Sequence, residues 1–410
     1  MVDYIALSIP LFFILIGIEI AYSVYRKLNY YRLNDSIANL SQGIGSQLVG
    51  LFLKTATFFG YLYIFDHWRV YTFPATFLTW LLLFLGVDFF YYWFHRMSHE
   101  VNALWAAHIV HHQSEEYNLT VALRQSWFQG GFSWAFYLPL AFVGFDPFMF
   151  LTVSSFNTLY QFWIHTRAIG KMGPLEWIFN TPSHHRVHHG SNEKYIDKNH
   201  AGSLIIWDRM FGTFQAEEEE VVYGITKPLA SWNPVWANLH YWYDLIKMAR
   251  KTGRLKNKLK VFIMPPGWQP EGIPANAELA RHEDRRLQKY SPEYNGKLNW
   301  YLLVQFLFAL TVATLILFVS SKLSSLQLIT STILVVLTLT TCGAIFEHKD
   351  WLRKFEYFRL IFWLGTIFTY MPVSGNTLLI FVTTALCISS SVWFYLIQPQ
   401  LVYVETSSEL

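Results

Sequence analysis

Histidine dominates the chemistry that this sequence could perform, because eleven of its fifteen histidines lie between His95 and His200. Most of them fall in three compact repeats, which in chain order are His95-x-x-x-His99, His108-x-x-His111-His112 and His185-x-x-His188-His189. On a helix, each repeat would place two or three imidazoles on one face, one turn apart. Neutral imidazole is a common ligand of iron, zinc and copper. Eight imidazoles exceed what one ion needs, so the repeats predict two metal ions. The predicted ligands are His95, His99, His108, His111, His112, His185, His188 and His189.

A ninth histidine, His165, ends an apolar stretch between the second and third repeats. Its position favours a ninth metal ligand, although a lone histidine there is also typical of a membrane interface. For His200, a ligand role and a packing role both stay open. Residues that we expect to contact the ligands without necessarily binding metal are His184, Asp197, Asn199 and His200.

Two carboxylates accompany the first repeat, and we predict a catalytic role for both. Asp88 lies seven residues before His95 and would share its helix face. A carboxylate inside an apolar run is costly unless it is paired, and it could bond the free N–H of a metal-bound histidine. The alternatives for Asp88 are an ion pair with Arg96 and a position at the membrane interface. Glu100 directly follows the repeat and could be a ligand, a proton relay or a partner of a ligand.

The composition is that of a membrane protein. Hydrophobic residues make up 53% and charged residues 14%, against about 25% charged in soluble domains. Apolar runs long enough to cross a hydrocarbon core predict an all-α, polytopic integral-membrane helical bundle. Two shorter runs, 128–144 and 147–164, predict a hairpin that crosses only partly. The predicted spans are 4–23, 43–65, 73–94, 301–321, 326–346 and 376–397.

The distribution of lysine and arginine predicts the orientation. Residues 166–299 carry most of the basic charge, whereas Arg69 is the only basic residue in its turn. The histidine-rich loops are therefore expected at the cytoplasmic face, and no cleavable signal peptide is expected. The expected location is the endoplasmic reticulum membrane in a eukaryote or the cytoplasmic membrane in a bacterium. Predicted domains are N-terminal transmembrane segments (1–72), a histidine domain (73–215), a cytoplasmic or interfacial segment (216–299) and a C-terminal transmembrane block (300–410).

Charge also limits the partners. A net charge of +3 does not suggest nucleic acid. Residues 247–260 contain seven Lys or Arg and no acid, which predicts contact with anionic lipid headgroups. Trp232, Trp236 and Trp242 are expected nearby at the membrane interface. The two cysteines fall in apolar runs and predict neither a disulfide framework nor a metal site.

The order of the three repeats between spans resembles the fatty acid hydroxylase and sterol desaturase superfamily of di-metal membrane enzymes. Four segments, 182–190, 195–199, 204–214 and 221–228, resemble its alkylglycerol monooxygenase branch more closely. The resemblance implies two iron ions on the eight repeat histidines, an acid at Glu100, O₂ as co-substrate and an electron donor, with tetrahydrobiopterin as the suggested reductant. It also implies that residues 73–215 form a fatty acid hydroxylase-type di-iron domain.

Two departures from the superfamily patterns matter. Fatty acid 2-hydroxylases have a paired His-x-x-x-His between the second and third repeats, and here Gln161 takes the first place, which argues against that subfamily. The alkylglycerol branch typically has Tyr where this chain has His200. The expected function is hydroxylation of the carbon beside the ether oxygen of an alkylglycerol lipid, yielding a fatty aldehyde and a glycerol derivative. The alternatives are a sterol, carotenoid or fatty acyl hydroxylase or desaturase, and a non-enzymatic metal-handling membrane protein.

Overall fold

The structure, a computed structural model, describes residues 4–270, 288–292, 296–370 and 377–398. These residues form α-helices and short 3-10 turns without a β-strand, which confirms the all-α prediction. The helices are α1 (Tyr4–Tyr25), α2 (Leu33–Trp68), α3 (Phe77–Glu100), α4 (Asn102–Ala106), α5 (Ile109–His112), α6 (Gly130–Val143), α7 (Pro147–Trp163), α8 (Pro182–His188), α9 (Ile206–Phe211), α10 (Pro234–Lys251), α11 (Leu255–Ile263), α12 (Asn299–Val319), α13 (Ser325–Phe346), α14 (Leu352–Phe368) and α15 (Thr377–Ile397).

Five described helices have the length and apolar composition of membrane spans, and a sixth is added if the two bent halves of α2 count as one. The multi-pass prediction is therefore confirmed. The predicted span 376–397 coincides with α15, except that Asn376 lies outside the described residues. Helix α2 begins ten residues earlier than predicted, because its polar first turns are buried and bonded: Asp35 accepts from the hydroxyl of Ser114 at 2.8 Å.

The predicted hairpin is formed by α6 and α7. Helix α6 ends at Gly144, whose φ of 114° is left-handed and whose backbone approaches the Tyr71 carbonyl too closely for a Cβ atom. Helix α7 then begins at Asp146, whose carboxylate accepts hydrogen bonds from the first turn. Its last residue, Trp163, lies two residues before His165, so the hairpin ends at the histidine.

The chain divides into two compact units. The first contains Met1–Ala230 and Asn238–Tyr290, and an apolar core lies between its helices α2, α3, α6 and α7. The second contains Ser231–Ala237 and Ser291–Leu410, where α12 to α15 pack around Leu334, Trp363 and Cys387. Glu356 and Arg359 form a fully buried ion pair within this second unit. The four-part division suggested by composition stays a prediction.

Candidate metal centre

Nine buried histidines of the first unit form two groups, and within each group the ligand atoms all lie within 4.8 Å of one another. We call these the five-histidine group and the four-histidine group. The structure thus brings together all eight repeat histidines and His165. The five-histidine group contains His95, His99, His108, His112 and His188, and the four-histidine group contains His111, His165, His185 and His189.

Adjacent histidines in the repeats belong to different groups. His111 and His112 separate in this way, and so do His188 and His189. Successive residues on a helix differ by about 100° in direction, so a single short helix can supply ligands to two neighbouring ions. The His-x-x-His-His spacing is therefore suited to a paired centre.

The second repeat is not one continuous helical face as expected. His108 precedes α5 with φ −125° and ψ −31°, outside the helical region. This conformation brings its Nε2 atom to 3.0 Å from Nε2 of His95 and 3.1 Å from Nε2 of His112. The third repeat does form a helix, α8, which begins with Pro182.

Four of the histidines have their tautomer fixed by a backbone carbonyl. A carbonyl oxygen can only accept a hydrogen bond, so Nδ1 must carry the proton and Nε2 keeps its lone pair for a metal. The donor and acceptor pairs are His95 with His200 (2.8 Å), His111 with Arg124 (2.8 Å), His165 with Gln161 (2.7 Å) and His188 with Lys198 (2.9 Å).

These tautomers leave unprotonated nitrogens facing one another. Nε2 of His111 lies 3.2 Å from Nε2 of His165, with no proton available to either. Buried Nε2 atoms of His99, His188 and His189 also have no hydrogen-bond partner among the described residues. Neighbouring ligands at 90° on an ion with bonds of about 2.1 Å would be about 3.0 Å apart. The residues present therefore fit bound metal ions.

Burial keeps the imidazoles neutral. Removal from water lowers the pKa of His108 and of His165 to about 4. Burial, and then the neighbouring imidazoles, hold the pKa of His112 and of His185 well below the usual value. Neutral imidazole is the form that binds metal, so these histidines are ready to bind at neutral pH.

The loop after the third repeat supports the five-histidine group. Asp197 and Asn199 both have left-handed φ angles, near 56° and 55°. The turn aims the carbonyls of Lys198 and His200 at the rings named above, and it places Asp197 Oδ1 3.3 Å from Nδ1 of His99. Asn199 donates to the carbonyl of His184 at 3.0 Å, so it contacts the backbone of the residue that precedes the third repeat.

His200 and His184 lie beside the groups and belong to neither. The His200 ring is fully buried, with its centroid 5.0 Å from that of His99, and its backbone N–H donates to Asp208 at 2.8 Å. The His184 ring packs against Phe214. Of the two roles left open for His200, the geometry favours packing.

The expected contact between Asp88 and a ligand histidine is wrong, and so is its alternative ion pair with Arg96. The buried Asp88 carboxylate accepts from the backbone N–H groups of Ser203 and Leu204 at 2.7 and 3.0 Å. The side chains of Asn157 and Trp207 donate to it as well. These four donors satisfy the carboxylate, and they anchor the loop that follows His200.

Glu100 does not join either histidine group. It bonds Arg96 at 2.8 Å, and its side chain is 38% exposed. The carboxylate beside His99 is that of Asp197 instead. Of the roles predicted for Glu100, direct ligation does not fit this geometry, whereas a relay role stays a prediction.

Three residues that contact the histidine groups or their neighbours were not predicted from the sequence. The side-chain oxygen of Gln129 lies 3.0 Å from Nδ1 of His108. Arg186 pairs with Glu217 at 2.6 Å and donates to the carbonyl of Thr166, next to His165. Glu19 of α1 accepts from the hydroxyl of Thr166 as well. Only Glu19 gave a signal, as the single charge in the first apolar run.

Comparison with known proteins places this arrangement in a family. A profile of the fatty acid hydroxylase family matches residues 80–213. Over 397 residues, 95% of this chain and 88% of the relative, the sequence is 41% identical to an alkylglycerol monooxygenase of Xenopus tropicalis. The human enzyme of that name is 40% identical over 88% of this chain and 82% of its own length. The chain belongs to the alkylglycerol monooxygenase family.

This membership covers more than the histidine domain. The similarity to the Danio rerio alkylglycerol monooxygenase, at 41% identity, extends over 87% of the chain, so it includes segments on both sides of residues 80–213. The predicted resemblance is thereby confirmed. No solved structure matches the chain.

Proposed function

We propose that this protein is an O₂-dependent membrane monooxygenase that hydroxylates the carbon beside the ether oxygen of alkylglycerol lipids. The observation that carries the proposal is the pair of buried histidine groups in a chain of the alkylglycerol monooxygenase family. The relatives' name states the substrate class, and the two groups supply a site for the oxygen chemistry.

Iron is the metal that we propose for both groups. The nine ligands are imidazoles, and both cysteines are buried in the second unit's apolar helices. Thiolate-free nitrogen ligation suits a metal that changes oxidation state and keeps positions open. When bound, the two ions would transfer electrons from an external donor to O₂ and would supply the Lewis acidity that O₂ activation requires. The chain's own residues fix the ligand tautomers and exclude water from the buried groups.

The net reaction balances with one O₂, two electrons and two protons. One oxygen atom enters the C–H bond beside the ether oxygen, and the other leaves as water. The resulting hemiacetal loses its C–O bond to give a fatty aldehyde and a free hydroxyl on the glycerol part. The electrons require an external donor, for which we propose a tetrahydropterin on the basis of family resemblance.

The orientation in the membrane and the identity of that membrane are also proposals. We propose that the histidine groups face the cytoplasm, because residues 166–299 carry most of the basic charge. In a eukaryotic cell this corresponds to the endoplasmic reticulum membrane, and in a bacterium to the cytoplasmic membrane.

The deciding assay follows fatty aldehyde release from a 1-O-alkylglycerol by purified protein with O₂ and tetrahydrobiopterin. We expect release by the native protein and none by His111→Ala, whereas His67→Ala, at an exposed histidine of α2, should stay active. Hydroxylation of a sterol or a free fatty acid, with every ether lipid left intact, would contradict the proposal. The metal-handling alternative predicts histidines spread along several spans, whereas these form two compact groups.

A further inference from the structure

One surface of the first unit combines exposed apolar residues with a high density of positive charge. It is formed by α10 from Asn238 onward and by α11, and we call residues 238–263 the basic arm. From residue 245 to residue 270 the sequence contains seven Lys or Arg and no acid. Both helices present large apolar side chains to the exterior. They are Leu239, Tyr243 and Ile246 on α10, and Leu255, Leu259 and Ile263 on α11.

The apolar residues of α11 form a stripe. Leu255, Leu259 and Ile263 are four residues apart, so they lie on one helix face, and they are 71%, 56% and 65% exposed. At about 100° per residue, Lys256 and Lys260 flank this stripe on one side and Lys258 flanks it on the other. An apolar face bordered by lysines is the pattern of a helix that lies in a membrane interface.

The opposite face of the arm is attached to the protein core. Val261 is fully buried and packs with Leu245 and Ala249 of α10 and with Ala106 of α4. Helices α10 and α11 therefore pack against each other, and the exposed stripe of α11 points away from this packing contact. Such an arm can rest on a membrane without losing its packing.

The arm is also bonded to the segment between the first two histidine repeats. The backbone N–H of Asn102 donates to Met264 at 3.0 Å, and its side-chain amide donates to the Val261 carbonyl at 2.9 Å. The Tyr241 hydroxyl donates to the Asn102 side-chain oxygen at 2.6 Å. Three residues further along α4, the Trp105 ring lies 4.8 Å from that of His99. Helix α4 therefore contacts the arm through Asn102 and the five-histidine group through Trp105.

We propose that the basic arm lies on the membrane surface and binds anionic phospholipid headgroups, with Leu255, Leu259 and Ile263 inserted among the acyl chains. The positive charge is complementary to the headgroups, and the stripe provides the apolar contact. The arm thereby holds α4, which connects the first two repeats, close to the membrane surface.

The position of the arm can be measured without enzyme activity. A spin label at Leu259→Cys and another at Lys256→Cys would be compared in vesicles of phosphatidylcholine alone and of an equal mixture with phosphatidylserine. The native cysteines are buried, so labelled native protein serves as the blank. In the mixture, we expect the label at 259 to collide with O₂ more than with a water-soluble nickel chelate, and the label at 256 to show the reverse. Equal access of the nickel chelate to both labels would overturn the proposal. Protection of the label at 259 from both O₂ and the nickel chelate would also overturn it, because this result would indicate a contact between two copies of the protein.

The role of charge needs a matched pair of variants. The triple variant Lys256→Gln, Lys258→Gln, Lys260→Gln should lose the phosphatidylserine-dependent insertion of the label at 259. The control triple Lys171→Gln, Lys194→Gln, Lys354→Gln removes equal charge from exposed positions outside the arm and should retain it. Insertion that is equal in both vesicle types, or unchanged in the arm variant, would overturn the headgroup assignment.

A second measurement uses enzyme turnover and therefore rests on the proposed function. Aldehyde release should rise about threefold or more with phosphatidylserine in the native protein and in the control triple, but not in the arm variant. Since the label measurement needs no turnover, failure of the alkylglycerol assay would leave the arm's membrane contact testable by itself. Normal insertion with no effect of phosphatidylserine on turnover would overturn the link through Asn102.

Discussion

The backbone of Arg124 is hydrogen-bonded to His111, and its side chain is hydrogen-bonded to Val110 and Gln113, on either side of that histidine. Its carbonyl accepts the Nδ1 proton of His111 at 2.8 Å. Its buried guanidinium donates to the carbonyl of Val110 at 2.6 Å and to the side chain of Gln113 at 2.7 Å. One residue, twelve positions after His112, thus fixes the tautomer of a predicted ligand and contacts a residue on each side of that ligand, the backbone of Val110 and the side chain of Gln113.

We predict that Arg124→Gln weakens metal binding about 10-fold, because loss of the guanidinium frees Val110 and Gln113 beside the ligands, although the backbone carbonyl that accepts the Nδ1 proton of His111 remains. The truncated side chain would leave buried acceptors unpaired, each at a cost of about 1–3 kcal/mol. Iron per chain and thermal stability in detergent measure the two effects. Arg353→Gln, at an exposed position, should change neither. Full iron retention by Arg124→Gln would contradict the role assigned to this residue.

His165 and His184 provide a comparison between two histidines with similar surroundings. Both are buried, and burial lowers the pKa of each to about 4. Only His165 belongs to a histidine group. We predict that His165→Ala loses about half of the bound iron, because one ligand of a four-histidine site is removed. His184→Ala should keep nearly all of it. Equal losses, measured by metal analysis, would show that His165 is not a ligand.

The ligand candidates were predictable from the sequence because helical spacing is a local property. Spacings of three and four residues place imidazoles near one another on a helix, as in α3 and α8, although His108 lies outside the helical region. His165 was predictable because the apolar hairpin returns it to the same depth. The division into two groups was not predictable, since it depends on which side of each short helix meets its neighbours.

Most hydrogen-bond partners of the candidate ligand histidines could not be predicted from the sequence. Four rings are oriented by backbone carbonyls, such as those of Arg124 and Gln161, and a carbonyl gives no signal in residue type. Asp88 was misassigned because its position on α3 suggested a ring seven residues away. The carboxylate instead accepts hydrogen bonds from residues more than 100 positions later in the chain, at Ser203 and Leu204. Contacts at such separation follow from tertiary packing.

Glu100 tests whether a proton relay can be separated from ligation. The carboxylate is paired with Arg96 and partly exposed, so we predict that Glu100→Gln keeps its iron. Turnover should fall about 100-fold or more if Glu100 transfers a proton. The control is Glu193→Gln, at an exposed acid that follows the third repeat, and it should retain both iron and turnover. If Glu100→Gln turns over at the native rate, Glu100 has no relay role.

Cysteine labelling tests the proposed orientation. Charge distribution places Lys227 on the cytoplasmic side and Val70, in the turn between α2 and α3, on the opposite side. Both side chains are exposed, so single cysteines there should react with a membrane-impermeant maleimide in oriented vesicles. We expect Lys227→Cys to react only from the cytoplasmic side and Val70→Cys only from the other. The reverse pattern would invert the topology.

The buried imidazoles also predict how the metal-free protein responds to acid. The pKa of His108 and of His165 is lowered to about 4, against an ordinary value of 6.5. Below pH 6.5 the unfolded chain therefore binds protons that the folded chain excludes. The free energy of unfolding should fall as pH decreases from 6.5 to 4, by up to about 1.4 kcal/mol per pH unit for each such histidine. It should stay nearly constant above pH 7, as far as these groups are concerned.

Melting temperatures of chelator-treated protein in detergent, taken between pH 7.5 and 5, check this dependence. Replacing His165 by Gln removes one group with a lowered pKa, so the variant should lose less stability over the same range than the native protein. His67→Gln removes an exposed histidine outside both groups and should follow the native curve. A melting temperature independent of pH below 6.5 would mean that the imidazoles are already protonated in the fold, and then they could not be the neutral ligands that a metal requires.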